Sequence, residues 1–319
     1  MKDENLYRTG FRFVELSAFY KSYFGWLCNS QVPPLCAYYS LDQNAEPDEA
    51  MLDVANLLLQ EYSGVFSAFR SNGRNFFRCV LAIDPNPEAR MAATAEAYQI
   101  LRNYFIASDF LPLLALIFSG QKSSREFPYL AEKTYHIYLR MKEQRRLLTG
   151  SEDVVYAGLF ALRKENESEL MLEADTILRI LENNHFFHTD PLQSAAYAMT
   201  LCLGSAESKC ANMEALYERL SERGIRYGRD YELVALSIIA NLGISHEQII
   251  EDFLLMEGFL HEQRGYGFFG YGRRTRYLHA MLVLTAYYMS SNTEITTAAV
   301  LSVLKTIQRQ QAAAAAAAA

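Results

Sequence analysis

Asp230-Tyr231-Glu232-Leu233-Val234-Ala235-Leu236 is one of six places in the chain where a polar residue stands just ahead of a dense apolar run. Ser71 precedes Phe76-Phe77 and Val80-Leu81-Ala82, and Asp109 precedes Phe110-Leu111 and Leu113-Leu114-Ala115. Asp153 precedes Val154-Val155 and Ala157-Gly158-Leu159, and Asp190 precedes Pro191-Leu192 and Ala195-Ala196. Thr275 precedes Tyr277-Leu278 and Ala280-Met281-Leu282. The starts at 71, 109, 153, 190, 230 and 275 are separated by steps of 38, 44, 37, 40 and 45 residues. Near-equal intervals of this size mark helical repeats.

Each apolar run is preceded by a more polar helical stretch, such as 92–104, 170–183, 213–223 and 247–261. The unit is therefore an outer helix, a short loop and an inner helix. The polar residue is expected to cap the inner helix by accepting a first-turn N–H. Pro191 then takes the first helical position, where its missing N–H costs nothing. Small residues recur early in the inner helices at Ala82, Ala115, Ala157, Ala195, Ala235 and Ala280, which lets neighbouring inner helices approach closely. The fold class is all-α, with about six stacked helix pairs, as an open α/α superhelix or a closed toroid. Residues 1–45 read as capping helices, with Phe13, Leu16, Tyr20 and Leu27 forming one stripe and Pro33-Pro34 ending the opening helix. Residues 46–311 read as the array, and the alanines of 312–319 as a helical tail without functional weight.

The chain has 319 residues, half of them hydrophobic, and a net charge of −7. An acidic balance opposes sequence-independent binding to nucleic acid, which rests on neutralising phosphates. The five cysteines, at 28, 36, 79, 202 and 210, form no CxxC, so neither a disulfide framework nor a zinc ribbon is expected, and a reducing compartment is. The N-terminus lacks a signal-peptide layout. The longest apolar run, Phe110 to Phe118, is far short of the roughly 20 residues that span a bilayer. A cytoplasmic protein without membrane attachment is the expectation.

The segment most unlike the rest is 264–276, Arg-Gly-Tyr-Gly-Phe-Phe-Gly-Tyr-Gly-Arg-Arg-Thr-Arg, with four glycines, four aromatics and four arginines. Arg273 and Arg274 are expected just before a helix N-terminus and Arg276 in its first turn, where the helix dipole also favours anions. With Tyr271 and His279, these arginines are the candidate ligand-binding residues, for a carboxylate or phosphate held by guanidinium forks. The alternative is a terminal loop whose aromatics pack on the last helices while its arginines pair with carboxylates of the chain. No strand precedes the glycines, so a dinucleotide fingerprint is excluded.

His185, His188 and Asp190 resemble a metal cluster, but no further ligand has a matching spacing, so no metal is expected. Glu49, Asp53 and Glu61 read as a solvated helix face, and DDxxD and DxDD are absent. No Ser-His-Asp elbow, P-loop or kinase motif occurs, so no catalytic residue is assigned and no cofactor is expected. The tyrosines Tyr38, Tyr39, Tyr197, Tyr231, Tyr277, Tyr287 and Tyr288 are candidates to line a concave inner face, with core packing as their default role.

Gly64-Val65-Phe66-Ser67 with Arg70, the stretch from Phe105 to Leu116, and Arg276-Tyr277-Leu278-His279-Ala280-Met281 resemble an uncharacterised bacterial family, domain of unknown function 4003. The resemblance implies an all-helical protein and carries no catalytic residues over. The leading functional expectation is a non-enzymatic repeat module binding a protein or peptide along its inner face. The alternative is a binder of a small anionic ligand, or an enzyme, with its pocket near Arg273–Arg276. A homodimer through exposed repeat ends is compatible with either.

Overall fold

The computed structural model describes residues 2–62, 73–145, 148–184, 189–266, 270–289 and 292–318. Among these it has fifteen α-helices and no strand. They are α1 (Lys2–Phe24), α2 (Val32–Asp42), α3 (Glu49–Glu61), α4 (Gly73–Ala82), α5 (Pro87–Leu101), α6 (Leu111–Gln121), α7 (Phe127–Gln144) and α8 (Asp153–Leu162). They continue with α9 (Glu167–Asn183), α10 (Asp190–Thr200), α11 (Ala206–Glu222), α12 (Glu232–Ala240), α13 (His246–Glu262), α14 (Arg273–Tyr288) and α15 (Thr293–Ala318). The chain divides into two compact units, one of Met1–Asn44 with Glu173–Ala319, the other Ala45–Leu172.

Within each unit the helices form two layers. In the unit 45–172, α3, α5 and α7 pack in succession, α6 packs on α8, and the hairpins α3/α4, α5/α6 and α7/α8 join the layers. In the other unit, α1, α13 and α11 form one layer and α2, α14, α12 and α10 the other. The N-terminal pair α1/α2 thus packs on α13 and α14, and α15 lies against α2, α10 and α12.

Burial separates the layers as the apolar patterning predicts. Every residue of α12 from Glu232 to Ala240 is buried, as is every residue of α10 from Pro191 to Thr200. The small residues Ala115, Ala157, Ala195, Ala235 and Ala280 are all at or below 1% exposure. A helix apolar on all sides is stable only when covered on all sides. The outer helices bury one stripe and keep a polar face, and several are linked across that face. Lys209 of α11 reaches Glu173 of α9 at 2.6 Å, Asn184 reaches Glu214 at 2.9 Å, and Arg219 pairs with Glu247 of α13.

Side-chain caps occur where the spacing did not place them. Asp48, Asn86, Ser205 and Ser245 cap outer helices, accepting from the N–H groups of Ala50, Ala89, Ser208 and Gln248. The inner helices α6, α8, α10, α12 and α14 have no side-chain cap. Asp153 and Asp190 are themselves the first helical residues, Asp230 lies ahead of the N-cap Tyr231, and Thr275 is inside α14. Ser71 lies outside the described residues. The N-cap residues Phe110, Glu152 and Tyr231 already have helical backbone angles, whereas a capping side chain is presented from extended backbone. The acidic groups still favour these N-termini through the helix dipole.

The opening stripe also needs one correction. Phe13, Leu16 and Tyr20 are buried in α1, but α1 ends at Phe24 and Leu27 lies in the following loop, 80% exposed.

The inner layer is closely packed at Gly158 of α8, where an added Cβ would overlap Leu114 of α6, itself fully buried. Gly158→Val is expected to lower stability by about 1–3 kcal/mol through overpacking. Chemical denaturation of Gly158→Val, Leu114→Ala and the double variant tests this. The double variant should lose less than the sum of the single losses, because the valine fills the space the leucine leaves.

Candidate functional site

The segment 264–276 is anchored from both sides. Helix α13 ends at Glu262, and the chain turns at Gly265, whose φ of +98° suits glycine. The Tyr271 amide donates to the Gly265 carbonyl at 2.8 Å, closing the loop on itself. Gly270 packs so tightly on that carbonyl that a Cβ would collide with it. Residues 267–269 lie outside the described residues.

From this loop Tyr271 donates its hydroxyl proton to the Ser30 carbonyl at 2.6 Å, bridging to the α1–α2 connection. Burial first, and the nearby Cys28 second, push the Tyr271 hydroxyl up to about 12. Behind it, His279 is fully buried, with the Tyr271 ring 4.8 Å from its own. Its Nδ1 lies 2.7 Å from the Tyr266 hydroxyl and its Nε2 lies 3.2 Å from Gln31 Oε1. A neutral imidazole satisfies both contacts: Tyr266 donates to Nδ1, and Nε2–H donates to Gln31. Burial pulls the His279 pKa down from 6.5 to about 3, so the ring stays neutral at physiological pH. Phe13 of α1 completes the enclosure at 5.7 Å.

The arginines separate. The helix starts three residues earlier than a cap at Thr275 would place it, with Gly272 as N-cap, so Arg273 and Arg274 are its first two residues. Arg276 is buried and grips Glu257 of α13, with Nε at 2.7 Å and a terminal nitrogen at 2.6 Å from one carboxylate oxygen. Arg274 turns to α12, binding Glu232 and lying 3.7 Å from Asp230. Arg273 is exposed and, among the described residues, meets no carboxylate. The structure thus brings Tyr271 and His279 together, while Arg274 and Arg276 face different helices.

What the segment holds in place is the α1–α2 loop. Gly25, with φ of +76°, turns the chain out of α1, and Trp26 and Leu27 stand 88% and 80% exposed at its tip. Immediately beyond them, Ser30 and Gln31 are the residues that Tyr271 and His279 bind. Asn29 braces the return by accepting the Gln31 amide at 2.9 Å. Sequence reading missed Gln31, Ser30, Glu257 and Tyr266 as partners. Gln31 and His279 are 248 positions apart, and no local pattern links them.

The remaining candidates carry less. Among the described residues no group of three or more His, Cys, Asp or Glu is placed to hold a metal ion. His185 and His188 lie outside the described residues, as do Gly64–Ser67 and Arg70. The five cysteines are free thiols, four of them buried. Tyr38, Tyr197, Tyr231 and Tyr277 are core residues rather than the lining of an open face. In the unit 45–172 an open groove of about 520 Å³ runs beside Tyr129, Lys133, His136 and residues 164–168. Its Lys133 is already engaged, donating to the carbonyls of Ala161 and Arg163 at the end of α8, at 3.0 and 3.1 Å. No helix among the described residues is long and apolar enough to cross a membrane.

The buried histidine makes stability depend on pH with a defined sign. Between about pH 6.5 and 3 the unfolded chain takes up a proton at this position and the folded chain does not. Its contribution is therefore complete above about 6.5 and is lost as the pH falls through that window. From pH 7.5 to 5.0 this one group should remove about 2 kcal/mol of stability. Denaturant titrations at the two pH values check it. His279→Gln, which keeps the hydrogen-bonding capacity without the titration, should lose less between them, and equal losses would exclude His279 as the source.

No curated protein and no solved structure matches the chain. One family profile does, that of the family described as "Protein of unknown function (DUF4003)", over residues 18–312. That span is nearly the whole length and includes the anchored loop, α14 and the last seven residues of α1, so the chain belongs to this family.

Proposed function

We propose that this protein is a helical-repeat binding module for a protein or peptide partner, and that the α1–α2 loop is its principal contact. The observation that carries the reading is Trp26, the single tryptophan of the chain, held 88% exposed beside Leu27 on a braced turn. Tryptophan is among the residues that dominate interface energetics when they enter a partner's pocket. A rigid presentation adds affinity because little conformational freedom is lost on binding. The Tyr271–Ser30 and His279–Gln31 hydrogen bonds supply that rigidity.

The inner layer is a weaker choice of surface. Helices α10 and α12 are buried along their length, and α15 lies against them. The anionic-ligand reading has less support as well, because Arg274 and Arg276 already hold carboxylates of their own chain.

Panning a random peptide library on the immobilised protein tests the proposal. Peptides enriched on the wild type should bind the Trp26→Ala/Leu27→Ala variant at least roughly tenfold more weakly, a loss typical of interface anchors. The variant should melt within about 2 °C of the wild type, since both side chains lie in water. Enriched peptides that bind both proteins equally, or no enrichment at all, would overturn the assignment.

A further inference from the structure

The α1–α2 loop and the segment that braces it are free of carboxylates. Residues 16–41 contain one charged side chain, Lys21. Residues 263–293 contain Arg264, Arg273, Arg274 and Arg276, and neither stretch has an Asp or a Glu. Asp and Glu make up 37 of the 319 residues, so at the average density the two stretches together would carry about six or seven. They are distant in sequence but joined in the fold, by the Tyr271–Ser30 and His279–Gln31 hydrogen bonds and by the packing of α14 on α1 and α2. A chain of net charge −7 therefore carries a cationic area, and Trp26 and Leu27 stand in it.

Two of these cations remain for a partner. Arg276 and Arg274 are held by Glu257 of α13 and Glu232 of α12. Arg264 is two residues from Glu262, the last residue of α13. Lys21 and Arg273 are exposed, and neither meets a carboxylate among the described residues. They approach the tip from its two sides. On one, Gly25, immediately before Trp26, donates its amide to the Lys21 carbonyl at 3.1 Å. On the other, Arg273 comes two residues after Tyr271, whose hydroxyl is 2.6 Å from the Ser30 carbonyl. A peptide of about six residues spans roughly 20 Å when extended, so one short segment lying over the tip can meet both.

Charge and apolar exposure together select that segment. A short acidic peptide senses only the local area, because exposed charges more than about 8 Å apart are largely screened at physiological salt. An anionic bilayer would also face surface beyond this area, in a molecule whose net charge has the same sign as its own, and two cations attract it only weakly. Resting on the reading of the α1–α2 loop as the contact, we propose that the partner segment is acidic. Its apolar side chains take Trp26 and Leu27, and flanking Asp or Glu side chains pair with Lys21 and Arg273.

The peptides enriched by panning on the wild type supply the probes. They should carry an excess of Asp and Glu over the input library. The affinity of one such peptide for the full chain, measured by isothermal titration, should fall roughly tenfold as salt rises from about 50 to about 500 mM. Lys21→Glu/Arg273→Glu should weaken it roughly tenfold or more, because each attraction becomes a repulsion, and Lys21→Gln/Arg273→Gln should weaken it less. Both variants should melt within about 2 °C of the wild type, since the two side chains are exposed. Enriched peptides without an acidic excess, or an affinity indifferent to salt and to charge reversal, would overturn the acidic assignment and leave Trp26 as the contact. No enrichment at all would instead remove the reading of the loop as a peptide contact, and this proposal with it. Sedimentation with phosphatidylcholine vesicles containing about a quarter phosphatidylserine covers the remaining source of negative charge. Vesicle binding that is lost in Trp26→Ala/Leu27→Ala, without enrichment of acidic peptides, would replace the peptide by a lipid surface and overturn the proposal.

Discussion

An inner helix with no polar side cannot exist alone in water, and the architecture follows from that constraint. Helix α12 buries all nine of its residues, including Leu233, Val234, Leu236, Ile238 and Ile239. Each large aliphatic side chain contributes roughly 1.5–3 kcal/mol when fully buried, so every uncovered flank would be costly. Cover comes from α10 and α14 within the layer, from α11 in the outer layer and from α15. The same need applies at the ends of the layer. Helix α14 gains its second neighbour when the N-terminal hairpin packs on it, bringing α2 beside it and α1 beside α13. Gly10 permits that approach, since a Cβ there would press into Met256 and Phe259.

Apolar cover favours association without fixing register, and the buried polar contacts supply the register. His279 finds both its partners only when the 263–272 loop and the α1–α2 loop are correctly placed. Arg276 fixes the height of α14 on α13 through Glu257, and Lys209, 1% exposed, fixes α11 on α9 through Glu173. A charge left unpaired at such depth is strongly destabilising, so alternatives that slide these helices by a turn are excluded by their polar groups.

The layered all-helical fold was legible because covering an inner helix imposes a regular composition: small residues at close approaches, apolar residues elsewhere, and recurrence at a nearly fixed interval. Ala157, Ala195 and Ala235 announce the inner layer from sequence alone. Cap positions were not legible, because an aspartate near a helix start serves equally as N-cap, first-turn residue or loop residue. The backbone angles that distinguish these roles depend on how the preceding loop docks. Leu27 fits the helical period of Phe13, Leu16 and Tyr20, yet Gly25 has already turned the chain away. At the candidate site, His279 and the arginines stood out by composition, but their partners did not. Gln31, Glu257 and Glu232 are ordinary residues whose importance comes from distant pairing.

Those pairings also explain how a segment rich in arginine and aromatics can serve a surface feature without itself being the contact. Tyr271, His279, Arg274 and Arg276 spend their hydrogen-bonding capacity inward, on Ser30, Gln31, Glu232 and Glu257. Trp26 and Leu27, by contrast, contribute little to the core, since most of their surface is in water. An exposed tryptophan on a loose loop could fold back onto nearby apolar surface, but a loop pinned immediately behind its tip has little freedom to do so. On the proposed reading, the buried neutral histidine and the exposed tryptophan are two ends of one device. The first fixes the loop by excluding water from a hydrogen-bonded chain, and the second remains available because the loop is fixed.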